Sequence, residues 1–245
     1  MNINTFVLLS GISVLAVPTQ AATLYQADFQ SGNALSSYGL VTKSGSAAIQ
    51  HVFGAANDNQ LVFNSPSGGY EQVQLQWPTL SGASTYRISF DLMTQGLTNS
   101  QYAFTVFTDT PTVQNLEFHG SQNWIETFNP MASGPSIYGT VGHFSDNTPM
   151  HVTVDIALAN AVWNIAVDGI GQYQGPFYSS SGGISDLRFN LSPWYNGAAP
   201  APNISVALDN LQISSVPLPG TSGLLLSALG ALAIRSRKGR SSQRV

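Results

Sequence analysis

Apolar residues recur at every second position along this chain, in runs too short for a helix, and that period of two confines it to β structure. Within Thr85–Met93, Tyr86, Ile88, Phe90 and Leu92 fall on one face while Arg87, Ser89 and Asp91 fall on the other. Val152, Val154, Ile156 and Leu158 repeat the pattern. Trp163, Ile165 and Val167 follow after a polar break at Asn160, so Met150–Val167 is a predicted β-hairpin with Asp168-Gly169 as the next turn. Leu187, Phe189 and Leu191 supply another inward face. Further strands are expected near Thr23–Phe29, Ala47–Phe53, Gln60–Asn64, Glu71–Trp77, Tyr102–Thr108, Val113–His119 and Asn203–Ile213.

About ten to twelve short strands in one domain, with strands near both of its ends, predict an all-β fold, a two-sheet antiparallel jelly-roll-like sandwich. Helical periodicity is absent before the C-terminal tail, and no repeat of fixed period occurs. Asn129–Asp146 has no strand pattern and carries Pro130, Gly134, Pro135, Gly139 and Gly142, so it is expected to be a long surface loop.

Both ends carry export features. Phe6–Val17 is an apolar core of secretory-signal length, and small Thr19 and Ala21 stand where a signal peptidase reads, with cleavage expected after Ala21 or Ala22. At the other end, Val216-Pro217-Leu218-Pro219-Gly220-Thr221 leads into an apolar helix ending at a basic stop, Arg235, Arg237 and Lys238. The 17 uncharged residues of Leu218–Ile234 lie at the short limit of a membrane span. The expected organisation is a signal helix at 1–21, a sandwich at 22–215, a sorting signal with a transmembrane-type helix at 216–240 and a polar tail at 241–245.

The order motif, apolar helix, basic end resembles the C-terminal signal of PEP-CTERM proteins, whose V-P-E-P-G-T opening stands here with Leu218 in place of the glutamate. The resemblance implies processing by an exosortase in a Gram-negative, exopolysaccharide-making bacterium. It also implies a transient inner-membrane stage and a final place in the envelope, at the outer surface or in the extracellular matrix. A sortase reading of Leu218-Pro219-Gly220-Thr221 as L-P-x-T-G breaks at Ser222.

Between the two ends lie all 12 acidic residues but only Lys43, Arg87 and Arg188 of the basic ones. So acidic a domain lacks the row of cations that phosphate contacts require, which excludes nucleic acid as a partner. The absence of cysteine removes thiol catalysis and thiolate metal sites, and a core of this size needs no disulfide.

Asp28-Phe29-Gln30-Ser31-Gly32 and Val206-Ala207-Leu208-Asp209-Asn210-Leu211-Gln212-Ile213 resemble the opening and closing strands of concanavalin A-like and carbohydrate-module jelly rolls, and the hairpin ending Trp163–Gly169 is similar to that of their laminin-G-like relatives. The resemblance implies neighbouring first and last strands, with Asp28 and Asp209 sharing a structural Ca²⁺. The alternative is that both carboxylates cap turns by accepting backbone N–H groups.

Sugar binding needs aromatic faces for C–H surfaces and amides or carboxylates for hydroxyls. Trp194-Tyr195-Asn196, in a Pro/Gly/Ala-rich stretch, and Trp124, beside Asn123 and Glu126, are the ligand-binding candidates; the competing reading is that these rings cover the ends of the sandwich. For catalysis, Glu117 and His119 share one side of a strand and form the nearest acid–base pair, with His143 on the expected loop as a second histidine; the competing reading is a solvated strand face. The E-x-D-x-E motif of jelly-roll β-glucanases, paired metal-ligand histidines, a phosphate loop and G-x-S-x-G are all missing.

The expectation is therefore a secreted or surface-sorted extracellular sandwich, non-enzymatic, that binds glycans or forms part of an exopolysaccharide matrix. The alternative is a jelly-roll glycan hydrolase or lyase. A binding module should carry an exposed aromatic strip, an enzyme a cleft with paired ionisable groups, and a purely structural matrix protein neither.

Overall fold

The computed structural model describes residues 21–54, 58–64, 70–80, 85–108, 114–129, 137–176, 184–193 and 203–216. All of them fall in one unit, Ala21–Val216. The signal helix, the motif from Pro217 to Thr221, the apolar helix and the basic stop at Arg235, Arg237 and Lys238 lie outside the described residues, as do Trp194, Tyr195 and Asn196.

The strands, in chain order, are β1 (Ala22–Ala27), β2 (Leu40–Ser44), β3 (Ala48–Gln50), β4 (Gln60–Asn64), β5 (Glu71–Leu80), β6 (Thr85–Gln95), β7 (Tyr102–Thr108) and β8 (Gln114–His119). They continue as β9 (Trp124–Asn129), β10 (Ile137–His143), β11 (Met150–Ala157), β12 (Val162–Val167), β13 (Gly171–Pro176), β14 (Ile184–Pro193) and β15 (Ser205–Val216). Every ladder is antiparallel. Sheet A runs β13-β12-β11-β6-β15-β4-β3 with β1 also on β15, and sheet B runs β10-β9-β8-β7-β14-β5-β2. The described part is thus an all-β, two-sheet antiparallel sandwich.

The period-two pattern explains the core. Ile88, Phe90 and Leu92 of β6, Val152, Val154 and Ile156 of β11, and Trp163 and Ile165 of β12 are buried on the inner face of sheet A. Phe104 and Val106 of β7, Leu116 and Phe118 of β8, and Leu187, Phe189 and Leu191 of β14 are buried on the inner face of sheet B. The two sets meet edge-on, Phe90 against Phe189 with ring centres 6.1 Å apart and Phe63 against Phe104 at 5.3 Å. Such pairs contribute roughly 1 kcal/mol beyond the area they bury.

Two expectations are corrected here. Asn129–Asp146 is not one loop, because Ile137–His143 forms β10, paired with β9, and His143 is therefore a strand residue. Strands β2, β9 and β13 were not anticipated either, and the described residues form fifteen strands where fewer were expected. The misleading residues in β10 were its glycines. A Cβ on Gly139 would stand 2.0 Å from the Tyr173 ring, and one on Gly171 of β13 would stand 2.1 Å from the Val141 carbonyl oxygen. The edges of the two sheets approach so closely there that glycine is what fits, and its role is packing rather than turning.

β15 is an interior strand of sheet A and meets three others. It pairs with β6 along its length, and on its other side with β4 through Ser205–Leu208 and with β1 through Leu211–Ser215. Its inward residues are Val206 and Leu208, then Leu211 and Ile213, a slip of one that strict alternation forbids. A bulge between Asp209 and Gln212, with Asn210 at φ 49°, absorbs the slip.

Candidate functional site

Sheet B's outer face is polar where it should, by position, be merely solvated. Residues alternating with the core of β8, β9, β7, β14 and β5 line up across the ladders. One cross-strand row reads Thr140, Glu126, Glu117, Thr105, Asn190, Gln72. The row beside it reads Tyr138, Phe128, Asn115, Phe107, Arg188, Gln74, and a third begins His143, Trp124, His119, Ala103.

The catalytic candidates Glu117 and His119 sit in this face, and the expectation of a solvated strand face is overturned: Glu117 is 8% exposed and His119 2%. Buried polar groups need partners, and these have them. His119 Nε2 is 2.7 Å from Glu117 Oε2 and 3.8 Å from Glu126 Oε2 on the neighbouring strand. Asn115 Nδ2 donates to Glu117 Oε1 at 2.9 Å. Glu126 was named in the sequence only as a neighbour of Trp124; its place opposite Glu117 comes from β8–β9 register, which local pattern does not encode.

Farther along the face, Asp186 is buried and accepts from Gln74 and from Arg188, whose NH2 group is 3.1 Å away. The Arg188 guanidinium also lies 5.6 Å from the centre of the Phe107 ring. Not every acceptor is satisfied. Among the described residues, Asn190 Oδ1 and Asn115 Oδ1 meet no hydrogen-bond donor, although Asn190 is only 9% exposed.

At the β10 end the face turns aromatic. Tyr138 is 65% exposed and packs on Phe128 with ring centres 5.1 Å apart. Trp124, the described ligand-binding candidate, is half-buried and meets the His143 ring edge-on at 6.0 Å. The strip and the ionisable cluster therefore stand side by side.

The metal candidates lie on the outer side of sheet A. Where β15 changes partner from β4 to β1, Asp28 follows β1, Asp58 precedes β4 and Asp209 occupies the bulge. Burial, together with the carboxylates of Asp58, Asp91 and Asp28, pushes the Asp209 carboxyl up to about 6. Asp91 is held by His151 Nδ1 at 2.6 Å and by Asn210 Nδ2 at 2.8 Å. A pocket of about 450 Å³ opens here, lined by Asp58, Asp91, His151, Asp209 and Asn210 with apolar Phe53 and Met93.

This donor set does not fit calcium. Asp28 Oδ1 accepts the Gln30 backbone N–H at 3.2 Å and Asp209 Oδ1 that of Asn210 at 2.7 Å. The oxygens that converge, Asp28 O, Asp58 Oδ1 and Asn59 O, lie 2.9, 2.9 and 3.1 Å from the Gln30 side-chain amide nitrogen, a donor that holds the place of a cation. Among the described residues no group of three or more histidine or acidic side chains is arranged to hold a metal.

Neither the protein-family profiles nor the curated proteins contain a match to the sequence. Solved structures do match in fold. An endo-1,3-beta-glucanase from Streptomyces sioyaensis is similar over 84% of this chain and 100% of its own, at 11% identity and a TM-score of 0.59. The CBM2 module of an evolved Dit protein of Lactobacillus casei BL23 phage J-1 is similar over 79% and 95%, at 11% identity and a TM-score of 0.53. A sialidase is similar over 77% of this chain, which spans only 18% of the sialidase, at 16% identity and a TM-score of 0.53. At such identities the likeness is one of fold, and enzymes and binding modules share it.

Proposed function

We propose that this chain is an exported, non-enzymatic glycan-binding sandwich, delivered to the outer surface or extracellular matrix by its PEP-CTERM-like tail. The observation that carries the reading is the Tyr138–Phe128 strip bordering a row of amides and carboxylates on one sheet face. Rings can cover the C–H faces of a sugar while Asn115, Asn190 and Glu126 take its hydroxyls. The likeness in fold to a carbohydrate-module structure and a glucanase supports it. An acidic, cysteine-free domain suits a polysaccharide-rich exterior. In this reading an exosortase-type enzyme processes the tail, and the apolar helix holds the chain in the inner membrane beforehand.

The test is retardation of residues 22–216 in gels containing soluble glycans, compared with Tyr138→Ala. The expected result is retardation by at least one glycan, with an affinity about tenfold lower in the variant, the loss of one well-placed aromatic contact. Absence of retardation on every glycan would sink the proposal.

A hydrolase or lyase is the second reading, favoured by the Glu117–His119–Glu126 cluster, since two carboxylates on adjacent strands with a histidine between them are proton-transfer groups within reach of one another. Release of reducing ends or unsaturated products from any bound glycan, lost in Glu126→Gln, would establish it.

A further inference from the structure

Hydrogen-bond capacity on the outer face of sheet B is unevenly divided between donors and acceptors. The acceptors of that face include the carboxylates of Glu117 and Glu126 and, opposite Gln76, that of Asp186, and Asn190 Oδ1 and Asn115 Oδ1 meet no donor among the described residues. Four of the donor groups beside them are committed. Asn115 Nδ2 is spent on Glu117, Asn190 Nδ2 on Ser192 Oγ at 3.2 Å, Gln74 Nε2 on Asp186, and the Arg188 guanidinium on Asp186 as well. The other described cation near this face is Lys43, exposed at the β2 bulge on its edge.

A buried acceptor without a donor costs about 1–3 kcal/mol, and such a group calls for an explanation in what binds there. Resting on the glycan-binding reading, we propose that this face is selective for glycans that present hydrogen-bond donors, neutral or amine-bearing sugars, and rejects uronate polymers. Asn190 Oδ1 and Asn115 Oδ1 are closed off from solvent in the free protein, so rotation of the two amides opens them before a sugar hydroxyl or ammonium hydrogen completes them. A uronate would bring another carboxylate against Glu126 and Glu117, with the nearby guanidinium already paired. Ammonium groups gain further from Glu126, whose side chain retains 17% exposure and so is reachable from outside.

The experiment measures binding of residues 22–216, by calorimetry at pH 7, to three probes of equal length: a neutral glucan, a glucosamine oligomer and a polyuronate. Expected is binding of the first or the second with the polyuronate at least about tenfold weaker, the equivalent of one lost hydrogen bond. Glu126→Gln separates the two sources of donors, weakening the glucosamine oligomer, which loses an ion pair, more than the glucan, which keeps an amide acceptor in its place. Polyuronate bound as tightly as the others overturns the inference and leaves glycan binding standing, whereas no binding of any probe overturns both. Asn190→Leu should weaken the bound probe about tenfold, as expected for one acceptor removed. If that variant keeps its thermal midpoint and full affinity, the row is not the contact surface and the inference fails. The probe comparison on the unaltered protein needs no variant to fold.

Discussion

Glu117 and Glu126 face each other across the β8–β9 ladder, and His119 Nε2 stands close to both, 2.7 Å from the first and 3.8 Å from the second. Two carboxylates so placed repel unless something compensates, and the imidazole is the nearest group able to do so. His119→Leu removes the compensation and leaves Glu117 buried beside a like group, so it should lower unfolding free energy by about 3 kcal/mol. His119→Leu with Glu117→Leu should recover part of that loss. Urea unfolding of both variants checks the coupling; purely additive effects would contradict it.

The Asp209 carboxyl, held at about 6, sets a pH dependence whose sign is fixed. Its usual value is about 3.9, so between there and 6 the native state binds more protons than the unfolded chain. The stability that this group contributes is whole below the lower value and is lost as pH rises through the upper one. Asp28, Asp58 and Asp91 act on it directly, and His151 faces it through Asp91. Asp209→Asn should therefore raise the thermal midpoint at pH 7.5 relative to the unaltered protein and change it little at pH 4. A gain confined to pH 4 would refute the assignment.

Two glycines at the closing edge should respond unequally to a methyl group. In Gly171→Ala the new carbon meets the Val141 carbonyl oxygen, part of a backbone that cannot swing aside, while in Gly139→Ala it meets the ring of Tyr173, a side chain that can rotate. The first should cost about 2–3 kcal/mol and the second less. Chemical denaturation of the pair decides, and equal costs would mean that the two sheet edges do not meet rigidly.

The sorting reading has its own test. Pro217→Ala with Pro219→Ala should abolish conversion of the exported chain to a shorter surface form, followed by intact mass and cell fractionation. Full-length protein held in the membrane with and without the changes would make the tail a simple anchor.

How far the sequence could be read depended on whether the information was local. Gln60–Asn64 and Tyr102–Thr108 were legible to the residue, and the Met150–Val167 hairpin formed where expected, because alternation and turn residues are local signals. β10 was hidden because Gly139 answers to Tyr173, a residue 34 positions away, and a glycine looks the same in a sequence whether it turns the chain or makes room for a ring. The Glu117–His119 pair was visible as spacing, yet its burial depends on strands that the spacing cannot name. The slip in β15 has a trace in the sequence, Leu208 and Leu211 three apart within an alternating run, but the plain strand expected at Asn203–Ile213 did not include it.

The position of β15 governs when this domain can exist at all. Its last strand lies between β6 and the pair β4 and β1, with Ala22 opposite Ser215, so the first residues of the sandwich complete their ladder with some of the last. Closing a loop that spans the whole domain is slow, and the ladder cannot begin until the final strand is available. A chain made from its amino end therefore has sheet A unfinished until that last strand is present. The fold locks only once its carboxyl-terminal strand is in place, so synthesis and folding are ordered in time by topology alone.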